Sequence, residues 1–244
     1  MTEREIPLSV EGIKAKIIYH TYKGFEVKTL LISFEEKRRV LSTREGYSEV
    51  SFVANHYNPT PLSDYLHQHW EEFETELPSI LGIYPEDIAF LSTAADMDNL
   101  AVCESSYQEF TVCCLATAGV KHNAQRAGVD EAASVERDGR FERLSGTINV
   151  ILLSNATLSD GAMARAIITA TEAKTATLQD IDIRSTYTPK NQATGTGTDN
   201  VVIVSGKGPP VKHSGGHVKM GELIGVAVKR AVAEAIGKQD GITL

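Results

Sequence analysis

Two runs, Asn149-Val150-Ile151-Leu152-Leu153 and Asn200-Val201-Val202-Ile203-Val204, are apolar at every position after a leading asparagine. A strand with one wet face alternates apolar and polar residues. A strand that is apolar throughout has both faces buried, the habit of sheets covered by helices. Between the runs, residues 160–178 are rich in small residues at helical spacing. Strand, helix, strand in that order points to an α/β (mixed α+β) fold whose sheet is covered by helices.

The remaining elements fit around this unit. IKAKIIYHT (13–21) and FEVKTLLISF (25–34) flank Tyr22-Lys23-Gly24, a hairpin signal. Further strands are expected at 40–43, 50–56, 88–92, 99–104, 110–117, 147–154 and 200–205. A helix is expected at 62–81, capped by Ser63 or Asp64, with Trp70, Phe73 and Leu77 at helical spacing. A closing amphipathic helix is expected at 217–237. Residues 121–143 read as a polar excursion with a turn at Gly139, and Gly206-Lys207-Gly208-Pro209-Pro210 reads as a turn. No Ser/Pro-rich linker divides the chain, so residues 1–244 are expected to form one domain, β-rich over the first 60 residues. Leu62-Ser63-Asp64 is echoed by Leu158-Ser159-Asp160, and Thr93…Asp98-Asn99-Leu100 by Thr194…Asp199-Asn200-Val201, in the same order and at nearly constant offset. That pattern suggests an internal β–α–β duplication with its two Asp-Asn loops facing across a shared cleft.

Charge narrows the partners. The formal net charge is −8, and the one local basic cluster, Lys37-Arg38-Arg39, reads as a solvated turn. Nucleic acid, which needs a basic face, is not an expected partner. No apolar run approaches a membrane span, and the start, MTEREIPLSVEG, has no apolar signal core. Three cysteines, two of them adjacent in FTVCCLATAGV, make no disulfide framework. The expectation is a cytoplasmic chain without a membrane partner.

Few charges remain around the central helix, so those present are candidates for chemistry. On a helical wheel Met163, Ile167, Ala170, Lys174 and Leu178 form one stripe, with Arg165, Glu172 and Gln179 opposite. A lysine in an apolar stripe needs a partner or loses its proton, and can then serve as base, nucleophile activator or anion clamp. Otherwise it snorkels to water near the helix end. Glu172 is either a general base or the structural partner of Arg165. Thr194-Gly195-Thr196-Gly197-Thr198 is neither a dinucleotide fingerprint nor a Walker loop. It offers backbone N–H groups and three hydroxyls to a ligand rich in amides and carbonyls, with Asp199 and Asn200 adjoining, or it is a polar turn feeding a strand. Gly215-Gly216-His217 precedes the last helix. Its free N–H donors suit an oxyanion, with His217 as acid or base; the bland alternative is a capping loop with an exposed histidine. His122 follows another glycine turn. Asp180 and Asp182 with Asp199 could hold a cation, although an Asp-rich helix exit is usually a turn. His67 and His69, two apart on a helix, point apart. No metal site and no other cofactor is called for, and with no Gly-x-Ser-x-Gly elbow the choice between a hydroxyl nucleophile and activated water stays open.

Residues 162–204, with TAADMDNL (93–100), TAGVKHNAQRAG (117–128), GTINVILLSNATL (146–158) and GGHVKMGELIG (215–225), resemble the adenosylcobinamide amidohydrolases, the CbiZ family of corrinoid salvage. The resemblance implies cleavage of the amide joining aminopropanol to the corrin ring of adenosylcobinamide, giving adenosylcobyric acid. The corrinoid is then substrate, not cofactor. The site residues are read from the chain itself. Lys174, His217, Asp199 and Glu172 are the catalytic candidates, and the first three are expected to converge on one cleft. Thr194, Gly195, Thr196, Gly197, Thr198, Asn200, Asp98, Asn99, Gly215 and Gly216 are the substrate-binding candidates. The alternatives are a corrinoid handover protein without catalysis and a different amide hydrolase or acyl-transfer enzyme. A homo-oligomer stays open.

Overall fold

The structure is a computed structural model describing residues 1–66, 69–132, 135, 136 and 146–243; the turn at Gly139, residue His67 and the Asp64 side chain lie outside the described set. The chain opens with an exposed strand, β1 (Thr2–Ile6), followed by β2 (Ile13–Tyr22), β3 (Phe25–Ser42) and β4 (Gly46–Tyr57). Lys23 and Gly24, both at positive φ (48° and 84°), close the β2–β3 hairpin with Tyr22 opposite Phe25. A two-residue turn of this handedness matches the strand twist, and glycine supplies the second position without strain. The expected strands at 25–34 and 40–43 are one long strand, irregular between Ser33 and Arg38.

The helix expected at 62–81 is two, α1 (Thr60–Leu66) and α2 (Trp70–Ile80). It begins earlier than a Ser63 cap allows, because Pro61 suits a first helical turn. Next come β5 (Ile88–Thr93), β6 (Ala101–Tyr107), β7 (Phe110–Ala118) and the two-residue β8 (Ala124–Gln125). Then follow β9 (Ile148–Ser154), β10 (Ala156–Leu158) and α3 (Asp160–Asp180), whose N-cap Ser159 accepts from the Ala162 N–H. The two-residue β11 (Gly195–Thr196), β12 (Asn200–Val204), β13 (Gly208–Val211) and α4 (Lys219–Asp240) complete the order. The turn expected at Gly206–Pro210 is in part the edge strand β13, parallel to β10. Prolines are tolerated there because an edge has no second ladder to feed.

Nine strands form one curled sheet. Along β3, β4 pairs on one side throughout. The other side is shared by β2 and, past the irregularity, by β12. The sheet therefore folds over. Inward side chains of β2–β5 (Leu30, Ile32, Val53, Leu91) meet those of β7, β9 and β12 (Leu115, Ile151, Leu153, Val202, Val204) in one cluster. The other face of β9 and β12 (Val150, Leu152, Val201, Ile203) packs against α3 and α4. Helices α1 and α2 cover the outer face of β2–β5 through Leu62, Leu66, Phe73 and Leu77. Both apolar runs are thus buried on both faces, and β9 and β12 are parallel neighbours. No described helix is long and apolar enough to cross a membrane.

The halves share one connectivity. An antiparallel hairpin, a third antiparallel strand, a helical segment and a parallel return strand occur as β2-β3-β4-α-β5 and again as β6-β7-β9-α3-β12. The Asp-Asn loops are not equivalent within it. Asp98-Asn99 follows β5 and leads into β6, whereas Asp199-Asn200 enters β12. No hydrogen bond or ion pair joins the two loops among the described residues. Asp98 takes Lys28, Tyr19 and Arg4, and Asn99 donates to Gln239.

Candidate active site

Asn149 and Asn200 begin the two apolar strands side by side, and several loops meet at this end of the sheet. Inside it, Asn149 donates to the Asn55 Oδ1 and to the Ser92 carbonyl, each at 2.9 Å, while the Asn55 amide donates to the Thr117 hydroxyl. All three side chains are buried. This network joins β4, β5, β7 and β9, and unmade bonds there would each cost a buried polar group its solvation.

Above it, Lys174 is 8% exposed and its ammonium pairs with Asp199. The apolar stripe of α3 delivers the lysine inward, and Asp199 is the counter-charge that burial demands. Asp199 is otherwise saturated. It accepts from the Thr196 N–H at 3.0 Å, the Thr196 hydroxyl and the Ile148 N–H at 3.0 Å. The loop before it is pinned from several sides. The Thr194 N–H donates to the Gln125 carbonyl, and Gly195–Thr196 pairs with β8. The Thr175 hydroxyl donates to the Thr194 carbonyl, and the Thr198 hydroxyl to the Gly146 carbonyl. The hydroxyls of Thr196 and Thr198 are therefore spent within the fold. The exposed part of the loop is Gly197, whose α-carbon faces the carboxamides of Asn123 and Gln125. Asn123 is fixed by donation to the Gly146 carbonyl and by the Tyr187 hydroxyl.

Gly195 has no room for a side chain. A methyl there would lie 2.6 Å from the Lys174 Nζ and against the Asp199 carboxylate. Gly195→Ala is expected to lower stability by about 1–3 kcal/mol, the usual cost of overpacking, read as a lower urea midpoint with unchanged slope. An unchanged midpoint would mean that the ion pair is not fixed where the structure places it.

The segments meeting here are 117–128, the start of 146–158 and the loop into β12. Residues 14–244 match the profile of a family described as adenosylcobinamide amidohydrolase, CbiZ. The chain belongs to that family. An uncharacterised protein of Methanocaldococcus jannaschii is 50% identical over 251 residues, covering 97% of this chain and 98% of its own. A Methanosarcina mazei protein named adenosylcobinamide amidohydrolase is 29% identical over 215 residues, 84% of this chain and 92% of that one. The crystal structure of the PH0078 protein from Pyrococcus horikoshii aligns over 94% of this chain and 85% of that one, with TM-score 0.48 and 12% identity. The family acts on a corrinoid small molecule, and its name makes the chain a hydrolase of the amidohydrolase kind.

In this amidohydrolase-family chain the other candidates lie elsewhere. His217 is exposed, its ring 6.1 Å from that of His213. Its loop is tied to the first half of α3, with the Ser214 hydroxyl donating to the Ala162 carbonyl and Thr169 donating to the Ser214 carbonyl. The Gly215 flank faces Arg165, and Lys174 lies about 13 Å further along the helix axis. No contact brings His217 to Lys174 or Asp199 among the described residues. Gly215 is buried, its carbonyl accepting from the Val218 N–H, and Gly216 is exposed. Glu172 is exposed on α3 and forms no ion pair with Arg165 or any other described residue. The three candidate cation ligands separate, because Asp180 pairs with Lys229, Asp182 with Arg184 and Asp199 with Lys174. At Asp98, burial pushes the carboxyl up, and hydrogen bonds from Lys28 and Tyr19 with the Lys28 and Arg4 charges outweigh it, leaving it below its ordinary value.

Sequence reasoning missed Asn55, Thr117 and Asn149, although an asparagine opening an all-apolar strand was a visible signal. It also misread Lys37-Arg38-Arg39. Lys37 pairs with Asp87 and Arg39 with Asp160 from within β3, while Arg38 is buried.

Proposed function

We propose that this chain hydrolyses the amide joining aminopropanol to the corrin ring of adenosylcobinamide, releasing adenosylcobyric acid and aminopropanol. Water adds to the amide carbonyl carbon, the C–N bond breaks, and the amine leaves carrying a proton. The observation that carries the reading is family membership over 14–244, and the name printed for the Methanosarcina mazei relative supports it. Three of the resembling segments, 117–128, 146–158 and the loop into β12, come together around Asn149, Asp199 and Lys174, which supports a site there. There Lys174, aligned by Asp199, supplies positive charge for oxygen developing on the amide carbonyl, with Gly197 as the exposed face toward the substrate, backed by the buried Asn123 and by Gln125. His217 and Glu172 are left out of this assignment because both are surface groups away from the pair.

Purified protein incubated with adenosylcobinamide, without nucleotide or added metal, is expected to release aminopropanol and adenosylcobyric acid in equal amounts. Tight binding of the corrinoid with no aminopropanol over hours would replace the reading with the handover function. Cleavage of small amides with no action on corrinoids would replace it with a different amidase.

A further inference from the structure

We propose a second ligand site, an oxyanion subsite at the opposite end of β9 and β12, anchored by Arg38. A cleft of about 620 Å³ opens there, bounded by Val10–Gly12 ahead of β2, by Glu35 and Arg38 in β3, by Asn155 after β9 and by Gly206–Gly208 after β12. It lies at the carboxyl ends of two parallel strands, where α/β units commonly receive ligands. The length of those strands places it about 20 Å from the Lys174–Asp199 pair.

Arg38 is 9% exposed, and its Nε is buried without a hydrogen-bond partner. Its guanidinium makes no ion pair or hydrogen bond among the described residues, although Lys37 and Arg39 on either side both have carboxylate partners. A buried charge without an ion pair or hydrogen bond is costly; Glu35 offsets it only through space, and an external anion would complete it. A planar guanidinium lining a cleft fits a carboxylate or phosphoryl group with two parallel N–H···O bonds.

The carboxylates around the cleft do not cancel this. Glu11, Glu35 and Glu36 are exposed, and Glu36 is paired with Lys207. Exposed charges are screened by water and salt, whereas a buried one is screened much less. Glu35 opposes the anion most directly. The position a Gly12 methyl would take lies 3.2 Å from the Arg38 Nη2 and 3.5 Å from the Glu35 Oε2, so the two side chains approach the cleft together. Asn155 forms a fixed wall, its side chain accepting from the Thr111 N–H and donating to the Glu109 carbonyl. The ligand class is therefore a small molecule presenting a carboxylate or phosphoryl oxyanion.

The test is thermal unfolding of the full chain with inorganic phosphate and, separately, succinate, against sodium chloride at matched ionic strength. A ligand that binds only the folded state raises the melting temperature by mass action. Protection of the wild type by either probe, lost in Arg38→Met, is the expected result; phosphate alone marks a phosphoryl site and succinate alone a carboxylate site. Glu35→Gln, at an exposed position, is expected to tighten binding several-fold. Unliganded Arg38→Met is expected to melt at or above the wild-type temperature, which a structural arginine would not allow. No protection of the wild type beyond chloride, equal protection of Arg38→Met, or no tightening in Glu35→Gln overturns the proposal.

Discussion

Lys174→Met is expected to lower the stability of the fold by about 3 kcal/mol, the scale for removing one partner of a buried pair. The cost comes from what is left behind. Methionine fills nearly the same volume, but Asp199 keeps a carboxylate that is mostly enclosed, with only the Thr196 and Ile148 donors to hold its charge. Asp199→Asn added to that variant removes the stranded charge and should recover most of the loss, since replacing both partners of such a pair is often close to neutral. Activity should behave differently. If Lys174 stabilises the transition state, the double variant regains stability yet remains at least about tenfold slower than wild type, a barrier difference of about 1.4 kcal/mol. Urea unfolding and aminopropanol release, measured on all four proteins of this cycle, separate the two roles. A stable double variant with wild-type turnover would make the pair a structural staple and move the chemistry elsewhere.

That pair also shows how far the chain could be read before its structure. An ammonium on the stripe Met163, Ile167, Ala170 required a counter-charge, and Asp199 stood at the end of a glycine loop with few other acids nearby. The strands at 149–153 and 200–204 were legible because an all-apolar run has one physical solution, burial on both faces. The hairpin at Lys23-Gly24 was legible because that turn needs two residues at positive φ. His217 could not be placed, because a glycine loop before a helix reads alike whether it lines a cleft or faces water. Arg38 was hidden for a related reason. Its burial follows from the irregular turn of β3 past Ser33, while its neighbours are the solvated cations their sequence suggests. The Asn55, Thr117 and Asn149 contacts join residues far apart in the chain, and local pattern carries no information on such pairs.

The N-terminal half should be acid-sensitive because of two buried histidines. The Thr29 hydroxyl lies 2.9 Å from the His20 Nε2 and 2.6 Å from the His56 Nδ1. One hydroxyl proton serves one ring, so the other ring donates to the hydroxyl oxygen. His56 is wholly enclosed, its ring centroid 5.4 Å from that of Phe73 and 5.6 Å from that of His20. No carboxylate contacts either ring among the described residues. Burial first, and the neighbouring His20 second, hold the His56 imidazole down from 6.5 to about 3; burial also lowers His20. In the unfolded chain His56 takes up a proton near its ordinary value, whereas the folded chain refuses it until about pH 3. The unfolded state therefore binds more protons between these limits, and stability falls as pH falls. His56 contributes its full share above about pH 6.5 and loses up to roughly 4–5 kcal/mol of it on descent to pH 3, at about 1.4 kcal/mol per pH unit. Carboxylates such as Asp98, whose folded value is also lowered, add to the acid slope, so the informative quantity is a difference between proteins. His56→Phe keeps an aromatic ring against Phe73 and leaves Thr29 bonded to His20. Urea unfolding between pH 7.5 and 4.5 should give a wild-type slope of stability against pH steeper than the variant's by close to one proton, with the variant gaining on the wild type as the solution becomes more acid. Parallel slopes would mean that His56 is protonated in the folded protein, and that the enclosed Thr29-bridged pair does not exist as drawn.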